Sequence, residues 1–191
     1  KNLSTSGTRG ILLNNATDVF KLSGAGRYIH ATTTSGSKIP QRTSGTTGAN
    51  YDFANTSVFE NQSGIAASFD STPNYGSYRY NLGTTSTAGA DLTISGDLSV
   101  LQGTLGVSAS TTNTLTIAGG LSISNGATLR GASTTGTATI NIAGSVTGAG
   151  TLQGSAASGA TTSITVGGDL TSLISFGTGT NSLAFSGGAA F

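Results

Sequence analysis

One short phrase, written five times, constrains this chain more than any other feature. It reads Leu92-Thr93-Ile94-Ser95-Gly96, Leu115-Thr116-Ile117-Ala118-Gly119 and Ile140-Asn141-Ile142-Ala143-Gly144. Ile164-Thr165-Val166-Gly167-Gly168 and Leu183-Ala184-Phe185-Ser186-Gly187 complete the series. The offsets of 23, 25, 24 and 19 residues give a period within the range that marks a solenoid. Apolar and polar residues alternate within each phrase, as in a strand with one buried face. The glycine that follows suits a sharp corner, because without a Cβ it takes positive φ at no steric cost.

A second short strand follows each corner at Leu98–Val100, Leu121–Ile123, Val146–Gly148 and Leu170–Ser172, and a third lies around Leu105, Leu129 and Leu152. Three strands and three corners per coil of about 24 residues describe an all-β fold, a parallel β-helix, right-handed as parallel crossovers are. An antiparallel sandwich also uses short alternating strands, but it does not require equivalent phrases at a fixed period. Stacked coils do, since each inner Leu or Ile packs on its counterpart one rung away. No stretch keeps an i, i+3, i+4 apolar pattern, so few or no helices are expected.

Charge and aromatics divide the chain. All five tyrosines lie in the first 80 residues, and from Leu92 onward the only charged residues are Asp97, Arg130 and Asp169. The expected organisation is an irregular β or capping part at 1–90, with an elaborated polar loop at 32–50, and regular β-helix repeats at 91–191. Ile11–Leu13, Phe20–Leu22, Tyr51–Phe53, Val58–Phe59 and Ala67–Phe69 read as short strands of the first part. Tyr78, Tyr80 and Leu82 alternate onto one face.

Composition narrows the function. Charged residues are 8% of the chain, against about 25% in typical domains. A net charge of +1 gives no electrostatic case for nucleic acid or an anionic membrane. No apolar run is long enough to span a bilayer as a helix. There is no Cys, hence no disulfide and no thiolate ligand. The chain begins at Lys1 and contains no Met, which reads as a processed chain or a piece of a longer one. The closing Ala189-Ala190-Phe191 offers no polar cap to a last coil.

No catalytic, cofactor or metal site is expected. Asp97 and Asp169 share a Gly-Asp-Leu slot three coils apart, about 14 Å at the rung spacing, too far for a carboxylate pair and apt for a corner. His30, the only histidine, has no nucleophile motif around it. Gly167-Gly168-Asp169 lacks the spacing of a calcium-binding repeat. Tyr75, Tyr78 and Tyr80 form a candidate carbohydrate-stacking or surface-contact platform, with core packing as the other use of the same rings. Asn15, Asn55 and Asn61 stand in N-glycosylation acceptor patterns.

The run from Leu115 to Leu129 (Leu-Thr-Ile-Ala-Gly-Gly-Leu-Ser-Ile-Ser-Asn-Gly-Ala-Thr-Leu), with Val19 to Arg27 and the interruptions Tyr51-Asp52-Phe53 and Asn61-Gln62-Ser63-Gly64, resembles the β-strand repeats of very large secreted surface proteins of Bacteroidota. That resemblance implies an adhesin exported by the type 9 secretion system, associated in some cases with gliding motility, and located outside the cell or on its surface. Asp70-Ser71-Thr72 resembles the O-glycosylation motif of that phylum. The family's C-terminal sorting domain has no counterpart in this sequence, which favours a segment of a giant chain.

The expected function is therefore a structural or adhesive segment, a stalk or a neutral Thr/Ser-rich attachment surface. Expected partners are surface or glycan ligands and the secretion and cell-surface machinery, with self-association through the solenoid ends. A β-helix polysaccharide lyase or hydrolase and a self-assembling filament subunit are the alternatives.

Overall fold

The computed structural model describes residues 2–4, 12–13, 17, 19–32, 41–42, 51–62 and 74–187. The expected strand at Ala67–Phe69, most of the 32–50 loop, Asn15 and Asp70–Thr72 lie outside the described residues. The chain is a β-solenoid of about 5 turns, with coils of about 23 residues and no helix among the described residues.

In the first part, strands β1 (Asn2–Ser4), β2 (Leu12–Leu13), β3 (Phe20–Leu22), β4 (Arg27–Thr32), β5 (Gln41–Arg42), β6 (Tyr51–Phe53), β7 (Val58–Asn61) and β8 (Ser77–Thr87) pair in parallel, each with its counterpart from the neighbouring coil. The short β5 falls inside the segment expected as loop, where it pairs with β2. The regular part holds β9 (Leu92–Ile94), β10 (Leu98–Ser108), β11 (Thr112–Ile117), β12 (Leu121–Ile123), β13 (Thr128–Ala132), β14 (Thr137–Ile142), β15 (Val146–Thr147), β16 (Thr151–Gln153), β17 (Thr161–Val166), β18 (Leu173–Ser175) and β19 (Thr180–Phe185).

These strands form three faces. The first is a five-stranded parallel sheet in the order β19-β17-β14-β11-β9. The second contains β4, β7, the start of β8 and of β10, β12 and β15; the third contains the ends of β8 and β10, then β13, β16 and β18. One ten-stranded sheet runs through the second and third faces and crosses from the aromatic part into the regular part at the β8–β10 pairing.

Register explains why the phrase repeats. Leu92, Leu115, Ile140, Ile164 and Leu183 are Cα partners on successive rungs, as are Ile94, Ile117, Ile142, Val166 and Phe185. Each aliphatic side chain is thus stacked on one of its own kind, and each fully buried one stabilises the stack by about 1.5–3 kcal/mol. The same backbone bond closes every strand of the first face: Ala118 N–H to Ile94 O (2.9 Å), Ala143 to Ile117 (2.9 Å), Gly167 to Ile142 (2.8 Å) and Ser186 to Val166 (3.0 Å).

The glycine after the phrase is required for a different reason from the one expected. Gly96, Gly119 and Gly144 are not among the glycines with positive φ. They stack at one corner so closely that a Cβ on Gly144 would lie 2.8 Å from the Gly119 carbonyl oxygen. Positive φ is used instead between the second and third faces, at Gly103 (62°), Gly126 (76°) and Gly148 (104°).

Candidate surface-binding site

The first face carries the most regular surface among the described residues. Its strands begin three residues before the apolar-polar phrase, and their outward positions fall into three columns parallel to the solenoid axis. Thr112, Thr137, Thr161 and Thr180 form one column, and Thr114, Thr139, Ser163 and Ser182 the next. Thr116, Asn141, Thr165 and Ala184 form the third. All twelve are exposed or half-buried while their sequence neighbours point inward, and none is charged.

What keeps these rows straight is a polar inner column at the edge of the sheet. Asn113, Ala138, Thr162 and Asn181 are register partners facing the core. Asn113 Nδ2 donates to Val107 O (3.0 Å), Thr162 Oγ1 accepts from Ala132 N–H (3.1 Å), and Asn181 Oδ1 accepts from Ser155 N–H (2.6 Å). Each ties the start of a first-face strand to the third-face segment leading into it, meeting the hydrogen-bond demand of buried backbone. This column also hid the array in the sequence: Asn, Ala, Thr and Asn at inward positions break the apolar alternation that marks a strand. The available signal was the outward run Thr-x-Thr-x-Thr at 112–116, with related runs at 137, 161 and 180.

Two shallow grooves, each of about 290 Å³, flank the glycine corner. One, on the first face, is lined by Thr116, Asn141 and Thr165 together with Ala118 and Ala143. The other, on the second face, is lined by Asp97, Ser99, Ser122, Ser145 and Thr147. Asp97 serves the corner, as the sequence suggests: its Oδ1 accepts from Gly120 N–H (2.8 Å), while its own N–H donates to Ser77 Oγ (3.1 Å). One slot away on the same corner, Asp169 N–H donates to Ser145 Oγ (3.1 Å).

The tyrosine platform is corrected by burial. Tyr75 and Tyr78 are 1% exposed and Tyr80 is 0% exposed, so no ring face is open to a sugar. Tyr78 stacks on Phe59 (5.7 Å, 8°) and meets Tyr75 edge-on (4.9 Å, 74°). Tyr78 stands in register with Leu98, and an aromatic column of Tyr28, Phe59 and Tyr78 passes directly into the aliphatic one of Leu98, Leu121 and Val146. Burial pushes both the Tyr78 and Tyr80 phenols above the ordinary tyrosine range. The Tyr80 hydroxyl donates between the carbonyls of Thr84 (2.9 Å) and Thr104 (3.0 Å). His30 is also interior, in register with Asn61, which in turn is in register with Tyr80. Asn61 is fully buried, which closes it as a glycan acceptor in the folded chain.

A charged ladder on the second face was not anticipated. The Glu60 side chain is only 2% exposed and accepts hydrogen bonds from Arg27, Gln62 and Asn81, with Arg79 Nε at 3.8 Å. Gln102 Nε2 extends the ladder by donating to Asn81 Oδ1 (2.7 Å). Burial alone would raise this carboxyl; the hydrogen bonds and the Arg27 charge outweigh it and hold Glu60 below the usual carboxylate range. The uneven coil lengths of the first part conceal the ladder in the sequence.

Family models, curated proteins and solved structures give no match to this chain. Its function is therefore argued from its surface.

Proposed function

We propose that the chain is an adhesive segment of a secreted cell-surface protein, a rigid rod that attaches through its first face. The observation that carries this reading is the three-column, charge-free array of Thr, Ser and Asn held on in-register rungs. Each hydroxyl makes one weak contact, but contacts on one rigid body engage together, and their combined strength far exceeds that of any one. The likeness of the repeats to those of Bacteroidota surface adhesins supports the same reading, with the cell surface as its location. The expected targets are neutral hydroxylated surfaces and glycans. A quartz-crystal microbalance carrying a cellulose film tests this: adsorption persists from low to high salt, because no ion pair is involved. Adsorption abolished by salt, or none at all, counts against it.

A second reading, end-to-end assembly, is favoured by the last described rung, where Leu173 and Phe176 are 64% and 41% exposed. A second copy adding its strands beyond β18 and β19 would cover them. Concentration-dependent association that Leu173→Glu abolishes supports it, and a monomer at every concentration excludes it.

A further inference from the structure

We propose that the first face is an ice-binding surface, with the lattice of ordered water at an ice crystal as its ligand. The proposal rests on the reading of this face as the attachment surface and names the class of surface it takes. The geometry is a two-dimensional array. Its rows repeat at about 4.8 Å along the axis and its columns at about 6.6 Å along each strand, because outward side chains occur at every second residue. The oxygen atoms on a prism face of ice repeat along two perpendicular directions at similar spacings. The three consecutive pairings β11–β14, β14–β17 and β17–β19 each run six residues with no register shift, so no bulge disturbs the grid.

The side-chain chemistry fits the same ligand. Threonine presents a hydroxyl that donates and accepts beside a methyl that orders water around it. Its branched Cβ restricts χ1, so the hydroxyls are placed before the ligand arrives and less freedom is lost on binding. A Lys or Glu in the array would orient water around its own charge, and none is present among the twelve positions. A sugar would be better served by an exposed aromatic ring, and this face presents none, since its outward positions are Thr, Ser, Asn and Ala. The other faces lack the grid. On the second, Ser99, Ser122 and Thr147 make a single column, and on the third the column through Gly106, Arg130 and Gln153 mixes charge, amide and no side chain.

The test is incorporation of labelled protein into a growing ice hemisphere, together with freezing-point hysteresis and ice-crystal shape. The protein is expected to enter the ice and to facet it. Thr139→Tyr, at the centre of the array, is expected to reduce hysteresis by about tenfold, because one ring lifts neighbouring contacts that act only together. Thr128→Tyr on the third face leaves hysteresis unchanged, and circular dichroism of both variants checks that the fold is intact. Exclusion of the wild type from ice while it still adsorbs to cellulose overturns the ice proposal and leaves the attachment reading standing. Failure on both surfaces overturns both. A dimer that Thr139→Tyr dissociates shows that the face takes a second copy and also overturns the proposal.

Discussion

The aromatic and aliphatic halves of this molecule share one parallel ladder and solve it with different chemistry. In the first half Tyr28, Phe59 and Tyr78 fill the second-face column, a buried carboxylate is held by two arginines, and partner strands are separated by 31 residues in one coil and 19 in the next. In the second half the same column is Leu98, Leu121 and Val146, the outside is almost free of charge, and the coils are nearly equal. The solenoid tolerates either filling because parallel pairing fixes the backbone and leaves each inward slot free to take any side chain that fits its neighbours. Only the regular half yields a grid, since only there do successive first-face strands match in length and register.

The sharpest way to break the regular half is at its corner. Gly144→Val forces a branched side chain against the Gly119 carbonyl, and we predict a loss of about 3–5 kcal/mol, the upper end for single substitutions. All tyrosines lie in the first 80 residues. Their fluorescence therefore reports the aromatic half, while circular dichroism reports the whole. The urea midpoint should fall more by circular dichroism than by fluorescence, since repeats couple chiefly to their neighbours.

Exchanging fillings tests whether a slot is specific. Tyr78→Leu copies the residue one rung away, yet Phe59 and Tyr75 remain around it. We predict a cost of about 2–4 kcal/mol from the cavity left behind. An unchanged midpoint would mean that the two fillings are interchangeable.

Protonation separates the halves more gently. Glu60 is held below its ordinary value, so it stabilises the folded chain above about pH 4.5, and that contribution is lost as pH falls through the folded pKa. The midpoint reported by tyrosine fluorescence should drop between pH 7 and pH 3. Glu60→Gln should cost about 1–3 kcal/mol at pH 7 and flatten the pH dependence. The smallest effect belongs to Lys21 and Asp52, paired at 2.5 Å but largely solvated. Lys21→Ala should change stability by less than about 0.5 kcal/mol by the same urea titration.

The coil was legible because the Leu/Ile phrase repeats, and that repetition is a direct consequence of like residues stacking in register. The corner glycines were legible as corners but not for their cause, since a close backbone approach and a positive φ select the same residue. Tyr78, Tyr80 and Leu82 were read correctly as one face, but which side was buried depends on rungs whose spacing is irregular. The Thr columns were half seen. Asn113 and Thr162 point inward to meet backbone groups, and a polar residue at an inward position hides the start of a strand from any test of hydrophobic alternation.

The most direct test of the attachment reading compares faces within one molecule. Thr139→Lys and Thr165→Lys place charge in the first-face grid, and Thr128→Lys and Thr151→Lys place the same charge on the third face. Adsorption to a cellulose film, followed by quartz-crystal microbalance, should be lost with the first pair and retained with the second. Equal loss from both pairs, or retention by both, would contradict the assignment of attachment to the first face.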